Sequence, residues 1–180
     1  MDRIKAGLVF VPTLLWNMLL GRWLKLRRWW DRIDDHLIVG ALPLSVDVPK
    51  LAEQGVTAVV NTCEEYGGPV EAYRQYGIRQ LRIPTIDFTH PALQDVNEAV
   101  AFIDEVVDDG GTVYVHCKAG RARSATVALC WMIKHYGITP REAQARLLEK
   151  RPHTNPHVFR RPVVRQFCEQ PDVTGAASLN

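Results

Sequence analysis

The fold is decided by residues 112–136, TVYVHCKAGRARSATVALCWMIKHY. A β-branched run at 112–115 is followed by a polar loop and then by an apolar-periodic run at 125–136 that contains no Gly or Pro. This order predicts a strand, a loop and a helix, with the loop at the N-terminus of the helix. A helix N-terminus presents unpaired N–H groups and the positive end of the helix dipole, which together favour a phosphate dianion.

The loop contains the residue types that a cysteine nucleophile acting on a phosphate group requires. The helix dipole favours the thiolate of Cys117, and the planar guanidinium of Arg123 can hold two phosphate oxygens. Gly120 has the backbone freedom to turn successive N–H groups inward, and Ser124 can donate a hydrogen bond to the cysteine sulfur. We interpret the set as a phosphatase that forms a cysteinyl-phosphate. The alternatives are a buried cysteine beside a surface arginine, and a persulfide-forming sulfurtransferase, against which the Arg-Ser pair argues.

The loop resembles the signature loop of the cysteine-dependent protein tyrosine and dual-specificity phosphatases. Within that superfamily it is most similar to the mitochondrial-type phosphatidylglycerophosphate phosphatases. The likeness includes four further motifs: PTLL at 12–15, IVGALP at 38–43, NTCEEY at 61–66 and RIPTID at 82–87. The HCKAG run at 116–120 also occurs in phosphoinositide 3-phosphatases. The resemblance implies a phosphomonoester as substrate and favours a phospholipid.

Length and composition fit one globular domain of 180 residues, with 47% hydrophobic and 23% charged side chains. The formal net charge of +2 is too small to indicate a nucleic-acid partner. The four cysteines, at 63, 117, 130 and 168, form no CxxC pair, so neither a zinc site nor a disulfide framework is expected. We predict a monomer that uses no metal and no other cofactor.

Alternating strands and helices predict an α/β domain with a central, mostly parallel sheet flanked by helices. The resemblance makes this a protein-tyrosine-phosphatase-like fold of the dual-specificity type. Further strands are predicted at 36–39, 56–61 and 78–83. Thr139 and Pro140 predict the start of a helix that runs to Lys150. The predicted parts are an N-terminal helical appendage at 1–35, a catalytic domain at 36–170 and a flexible tail at 171–180.

The N-terminal segment combines an apolar run at 6–20 with a cationic, tryptophan-rich run at 21–30. The apolar run is shorter than the ~20 residues that span a bilayer. Lys, Arg and Trp together suit the headgroup layer of an anionic membrane, so we predict that residues 6–30 dock there. Packing on the catalytic domain and a targeting peptide are the alternatives. The expected location is therefore a membrane, either the bacterial cytoplasmic membrane or the mitochondrial inner membrane.

A general acid is needed because a leaving alkoxide requires a proton. Asp87 follows a predicted strand and precedes Cys117 by 30 residues, a placement that resembles the family's general-acid loop. A turn or helix cap is the structural alternative for Asp87, and Asp95 is the second candidate for the acid.

The phosphate-binding loop is predicted to comprise Lys118, Ala119, Gly120, Arg121, Ala122 and Arg123. Lys118 and Arg121 suit a substrate with a second phosphate, although both could face solvent. Glu64 and Glu65 follow the 56–61 strand, and one of them could pair with the loop; an exposed turn is the alternative. In the resembled family the residue at His116 supports the thiolate.

Cys63 is a candidate redox partner that captures oxidised Cys117 as a reversible disulfide, and a small buried hydrophobic residue is the alternative. No functional residue is predicted in the turn-rich stretch 151–157.

The sequence thus predicts a phosphoric monoester hydrolase that converts phosphatidylglycerophosphate to phosphatidylglycerol. The alternatives are a dual-specificity protein phosphatase, a phosphoinositide phosphatase and a non-catalytic phosphate- or lipid-binding module.

Overall fold

The computed structural model describes residues 12–16, 18–24 and 27–173. In this part of the chain the strands are β1 (Trp30–Arg32), β2 (Leu37–Gly40), β3 (Val56–Cys63), β4 (Arg79–Thr85) and β5 (Thr112–His116). The α-helices are α1 (Val48–Glu53), α2 (Val70–Gln75), α3 (Leu93–Asp108), α4 (Arg123–Tyr136), α5 (Pro140–Lys150) and α6 (Pro162–Cys168). Short 3₁₀ turns lie at Ser45–Asp47 and Val158–Arg160, and a π-helical turn lies at Leu19–Trp23. Residues 12–16 are helical, and we call them the N-terminal helical segment.

The five strands form one sheet in the order β1-β2-β5-β3-β4. β1 runs antiparallel to β2, and the other neighbouring pairs are parallel. The predicted α/β architecture with a mostly parallel sheet is confirmed. The sheet places β5, whose five residues are all buried, at its centre.

Side chains of the central strands alternate between two cores, as the two-residue period of a strand requires. Val113 and Val115 of β5 point into the larger core, and Tyr114 points into the smaller one. Helices α3 to α6 cover the larger core, and α1 and α2 cover the smaller one with Leu51 and Tyr73. The sheet is therefore buried on both faces, which explains the continuous apolar runs of its parallel strands.

The helix predicted at Thr139 is confirmed as α5. Thr139 Oγ1 accepts a hydrogen bond from the Glu142 backbone N–H at 3.3 Å, and Glu142 Oε2 accepts one from the Thr139 backbone N–H at 2.8 Å. This reciprocal capping box satisfies two N–H groups at the start of the helix.

The predicted domain boundaries need two corrections. Strand β1 belongs to the sheet although it lies inside the predicted appendage at 1–35. Its central residue, Asp31, is buried and pairs with the distant Arg151, a contact that the local sequence does not reveal. Val173 lies inside the predicted tail but is fully buried against the larger core. The rest of that tail, 174–180, lies outside the described residues, as do residues 6–11, 17, 25 and 26 of the predicted membrane segment.

Candidate active site

The signature loop, residues 117–123, connects the end of β5 to the start of α4. It lies at the carboxyl edge of the central strands, where sheets of this type bind ligands. Gly120 has a φ of +64°, and a Cβ atom there would lie 2.4 Å from the carbonyl carbon of Gly40. The loop therefore requires glycine at this position, both for its backbone conformation and for its close approach to the end of β2.

Cys117 lies at the floor of the site and is only 4% exposed. The Ser124 hydroxyl donates a hydrogen bond to Cys117 Sγ at 3.4 Å. Burial raises the pKa of the Cys117 thiol, but the Arg123 guanidinium and the hydrogen bonds from Ser124 and the Arg121 backbone outweigh it and lower that pKa to about 6. The thiolate is thus the main form of Cys117 at neutral pH, which is the reactive form of a cysteine nucleophile.

Arg123 is held by the two loops that follow β3 and β4. Its Nη1 donates to Glu65 Oε2 at 2.9 Å and to the backbone oxygen of Thr85 at 2.7 Å. Its Nη2 lies 3.1 Å from Asp87 Oδ1. The guanidinium is almost fully buried, so these oxygens fix its orientation beside the cysteine sulfur.

The two adjacent glutamates have different roles in the structure. Glu65 contacts Arg123 and also accepts the backbone N–H of Asp87 at 3.1 Å, so it connects the signature loop to the Asp87 loop. Glu64 instead contributes its backbone oxygen, which accepts a hydrogen bond from Arg82 at 2.9 Å. The structure therefore brings Glu65 into the site, a choice that the sequence left open.

Asp87 reaches the site beside Arg123. Its Oδ2 accepts a short hydrogen bond from Lys118 Nζ, and its side chain is 13% exposed. The next residue, Phe88, has a φ of +65°, a backbone conformation that is rare for a bulky side chain, and it is 65% exposed. Asp95, the second candidate for the acid, lies in the first turn of α3 and does not line the pocket above Cys117.

Lys118 and Arg121 occupy different positions around the pocket. Lys118 is buried, and besides Asp87 its ammonium contacts the hydroxyl of Thr13 at 2.8 Å. Arg121 is exposed, and its Nε donates to the backbone oxygen of His153 at 2.8 Å. Both cations line the pocket above Cys117, one at its wall and one at its rim.

The pocket has a volume of about 340 Å³. Four parts of the chain contribute to it: Thr13 and Trp16 from the N-terminal helical segment, residues 87–89, the signature loop, and Asn155. The site is therefore a cationic cavity with a thiolate at its floor and apolar side chains at its mouth.

His116 is fully buried between aromatic side chains. Its ring stacks on Tyr114 with centroids 5.7 Å apart, and its backbone oxygen accepts the Thr62 hydroxyl at 2.9 Å. Burial lowers the pKa of His116 to about 3, and Arg123 acts in the same direction, against an opposing effect of the Cys117 backbone. The imidazole is thus neutral at physiological pH, and its ring packs against Tyr114 at the start of the signature loop.

Cys63 lies at the end of β3 and is fully buried. Burial raises the pKa of its thiol, and the nearby Cys117 acts in the same direction. None of the four cysteines, all of which lie among the described residues, forms a disulfide. Among the described residues no group of three or more His, Cys, Asp or Glu side chains is arranged to hold a metal ion.

A comparison with protein families identifies the fold and the chemistry. Residues 37–168 match the family described as the dual specificity phosphatase, catalytic domain. The chain belongs to the dual-specificity phosphatase family. The phosphatase activity predicted from the loop and the protein-tyrosine-phosphatase-like fold are thereby confirmed.

This dual-specificity phosphatase is similar to curated proteins over most of its length. The phosphatidylglycerophosphate phosphatase PTPMT2 of Arabidopsis thaliana is 41% identical over 169 residues, which span 91% of this chain and 74% of the relative. The phosphatidylglycerophosphatase and protein-tyrosine phosphatase 1 of Mus musculus is 33% identical, with 98% of this chain and 97% of the relative aligned. The crystal structure of PTPMT1 in complex with PI(5)P superposes with a TM-score of 0.74 at 30% identity, covering 84% of this chain and 100% of that chain.

Several residues of the phosphatase site, Thr89 and Asn155 among them, were not predicted from the sequence. Thr13, Trp16 and Phe88 line the pocket, although the first two belong to the predicted membrane segment. Arg151 begins the stretch 151–157, for which no function was predicted. Its Nε donates to the backbone oxygen of Gly120 at 2.7 Å, and its Nη2 donates to that of Ala119 at 3.1 Å. The PTLL motif at 12–15 was the available signal for Thr13, whereas no local pattern reveals the buried Arg151.

Proposed function

We propose that this dual-specificity phosphatase hydrolyses the phosphomonoester of phosphatidylglycerophosphate and releases phosphatidylglycerol. The observation that carries the proposal is the joint position of the Cys117 thiolate, Arg123 and Asp87 at one pocket with further cations. The activity for which the two relatives are named supports the choice of substrate.

In the first step the Cys117 thiolate attacks phosphorus, forming the S–P bond while the bond from phosphorus to the glycerol oxygen breaks. Arg123 and the N–H groups of the signature loop hold the phosphoryl oxygens, which carry most of the charge in the transition state. Asp87, carrying a proton at this stage, gives it to the departing oxygen. The substrate dianion provides negative charge to Lys118 and Arg123 in place of the Asp87 carboxylate, which frees that carboxyl group for proton transfer.

In the second step water attacks the phosphorus of the cysteinyl-phosphate, and Asp87 accepts the proton of that water. The S–P bond breaks and inorganic phosphate leaves. The hydrogen bond from Ser124 stabilises the departing sulfur as a thiolate.

Phosphatidylglycerophosphate also carries a phosphodiester, and a cation beyond the one that contacts the phosphomonoester suits this second anionic group. Lys118 lies at the pocket wall and Arg121 at its exposed rim, so they offer positive charge at two depths. A phosphotyrosine side chain has one phosphate group and does not require both.

We further propose that the enzyme works at an anionic membrane surface, through the segment 6–30 and the pocket mouth. Trp16 and Phe88 both line the pocket and are 61% and 65% exposed, and aromatic side chains of this kind favour the interface between headgroups and acyl chains. The described residues contain no helix that is both long and apolar enough to cross a bilayer. Co-sedimentation of the full chain with vesicles rich in anionic lipid is expected to fall when Trp16 and Phe88 are both replaced by alanine. Unchanged co-sedimentation would exclude the pocket mouth as the contact.

The substrate is tested by measuring kcat/KM side by side on short-chain phosphatidylglycerophosphate, a phosphoinositide and tyrosine-phosphorylated peptides. We expect the highest value for phosphatidylglycerophosphate, and no turnover of any substrate by Cys117→Ser. The name of the Mus musculus relative includes protein-tyrosine phosphatase, so a protein substrate is the second candidate. A higher kcat/KM for the phosphopeptides would assign that function instead.

A further inference from the structure

A hydrogen bond joins the N-terminal helical segment to the catalytic machinery. Lys118 Nζ donates to Thr13 Oγ1 at 2.8 Å, between residues that are 105 positions apart in the chain. Thr13 is half-buried, and it lines the same pocket as Cys117. The segment therefore forms one wall of the active-site pocket.

The surroundings of Lys118 show what this contact controls. The ammonium group is buried, it donates to Thr13 and Asp87, and it lies 5.5 Å from the centre of the Phe88 ring. An ammonium group has three N–H donors and no acceptor, and when buried it must lie where acceptors meet those donors. The Thr13 hydroxyl and the Asp87 carboxylate thus determine the direction in which the Lys118 side chain points.

We propose that Thr13 is a positioning residue, which holds the Lys118 ammonium over the phosphate site while Asp87 changes partners during the reaction. The inference rests on the proposed use of Lys118 by an anionic substrate, but it holds for any phosphomonoester. When the substrate frees Asp87, Lys118 loses that acceptor, and the Thr13 hydroxyl continues to hold the ammonium group. The N-terminal helical segment then completes the active site in addition to meeting the membrane.

The proposal predicts a particular kinetic pattern. Thr13→Val keeps the shape of the side chain but removes the hydroxyl, so Lys118 is free to turn away from the phosphate site. We expect KM for a soluble aryl phosphate to rise about 10-fold, the size of one lost hydrogen bond to a charged group, with a smaller change in kcat. Thr13→Ser retains the hydroxyl and is expected to restore the KM of the unmodified chain. Thr57→Val, an identical replacement at an exposed position of β3, is the matched control and is expected to change neither constant.

A double-mutant cycle separates positioning from a general effect on folding. In a Lys118→Met background the Thr13 hydroxyl has no ammonium to hold, so Thr13→Val is expected to change KM less than 2-fold further. An equal 10-fold effect with and without Lys118 would overturn the proposal, as would failure of Thr13→Ser to restore KM or an unchanged KM in Thr13→Val. Because the assay uses an aryl phosphate, it remains decisive if phosphatidylglycerophosphate is not the substrate, and the comparison of lipid and peptide rates tests that point separately.

Discussion

Arg151 Nη1 donates a hydrogen bond to Asp31 Oδ2 at 2.6 Å, and both side chains are almost fully excluded from solvent. The same guanidinium donates to two backbone oxygens of the signature loop, at Ala119 and Gly120. Edge strand β1 and the phosphate-binding loop are therefore joined through one buried cation. This buried cation holds the backbone of a polar loop that has no regular secondary structure of its own.

Replacing Arg151 with methionine should destabilise the fold, because it removes the buried partner of the Asp31 carboxylate, which is then left beside the exposed Arg28 guanidinium. We expect the free energy of unfolding to fall by about 3–5 kcal/mol, the usual cost of breaking a buried ion pair. Urea unfolding followed by circular dichroism measures this change. Arg165→Met is the control, because Arg165 is exposed and its pair with Glu169 at 3.7 Å should contribute little. Similar losses in the two variants would contradict the buried pair as the cause.

The lowered pKa of Cys117 predicts the pH dependence of its alkylation. Iodoacetamide reacts with the thiolate, so the rate should rise with pH, reach half its maximum at about pH 6 and then level off. Ser124→Ala removes one of the hydrogen bonds that favour the thiolate, so its midpoint should move to higher pH. A midpoint near pH 8.5 in the unmodified chain, the value of an ordinary cysteine, would show that the loop does not stabilise the thiolate.

Asp87→Asn should slow the hydrolysis of an alkyl phosphate by about 10²–10⁴-fold, the range attributed to general acid–base catalysis. The loss should be smaller for an activated aryl phosphate, because that leaving group departs without much protonation. Steady-state kinetics on the two substrates provides the comparison, with Asp95→Asn on α3 as a control that should leave both rates unchanged. Equal losses on the two substrates would assign Asp87 to the positioning of Arg123 and Lys118 instead of proton transfer.

Mild oxidation tests whether Cys63 protects the nucleophile. Peroxide should first oxidise the Cys117 thiolate to a sulfenic acid, since burial keeps Cys63 as the unreactive thiol. The Cys63 thiol then attacks the sulfenic sulfur, a disulfide forms and water leaves. Peptide mapping should find a Cys63–Cys117 disulfide that dithiothreitol reverses, while the buried Cys130 stays free. Recovery of Cys63 as a free thiol beside irreversibly oxidised Cys117 would rule out this role.

The elements that the sequence predicted well are those with local signals. The signature loop could be predicted because Cys117, Arg123 and Ser124 have a characteristic spacing and lie between a β-branched run and an apolar-periodic run. The start of α5 could be predicted because a threonine hydroxyl can accept a hydrogen bond from one of the first N–H groups of a helix, and the proline after it has no N–H group that needs a partner.

Contacts between distant parts of the chain had no such signal. The pairs Asp31–Arg151 and Thr13–Lys118 join residues that are 120 and 105 positions apart in the chain. Each partner is a polar or charged residue of a type that is usually exposed. The choice of Glu65 over Glu64 depends on how the chain turns after β3, which the two adjacent carboxylates do not reveal. Strand β1 was missed for the same reason, since a central aspartate disfavours a strand unless a distant cation pairs with it.

The central claim, a covalent intermediate on Cys117, is tested most directly by trapping the phosphoryl group during turnover. Rapid mixing with an aryl phosphate, quenching and peptide mass spectrometry should find the phosphoryl group on Cys117. A larger amount is expected in Ser124→Ala, in which breakdown of the intermediate is slowed. A phosphoryl group on any other side chain, or turnover without a phosphorylated enzyme at any time point in either protein, would contradict the account.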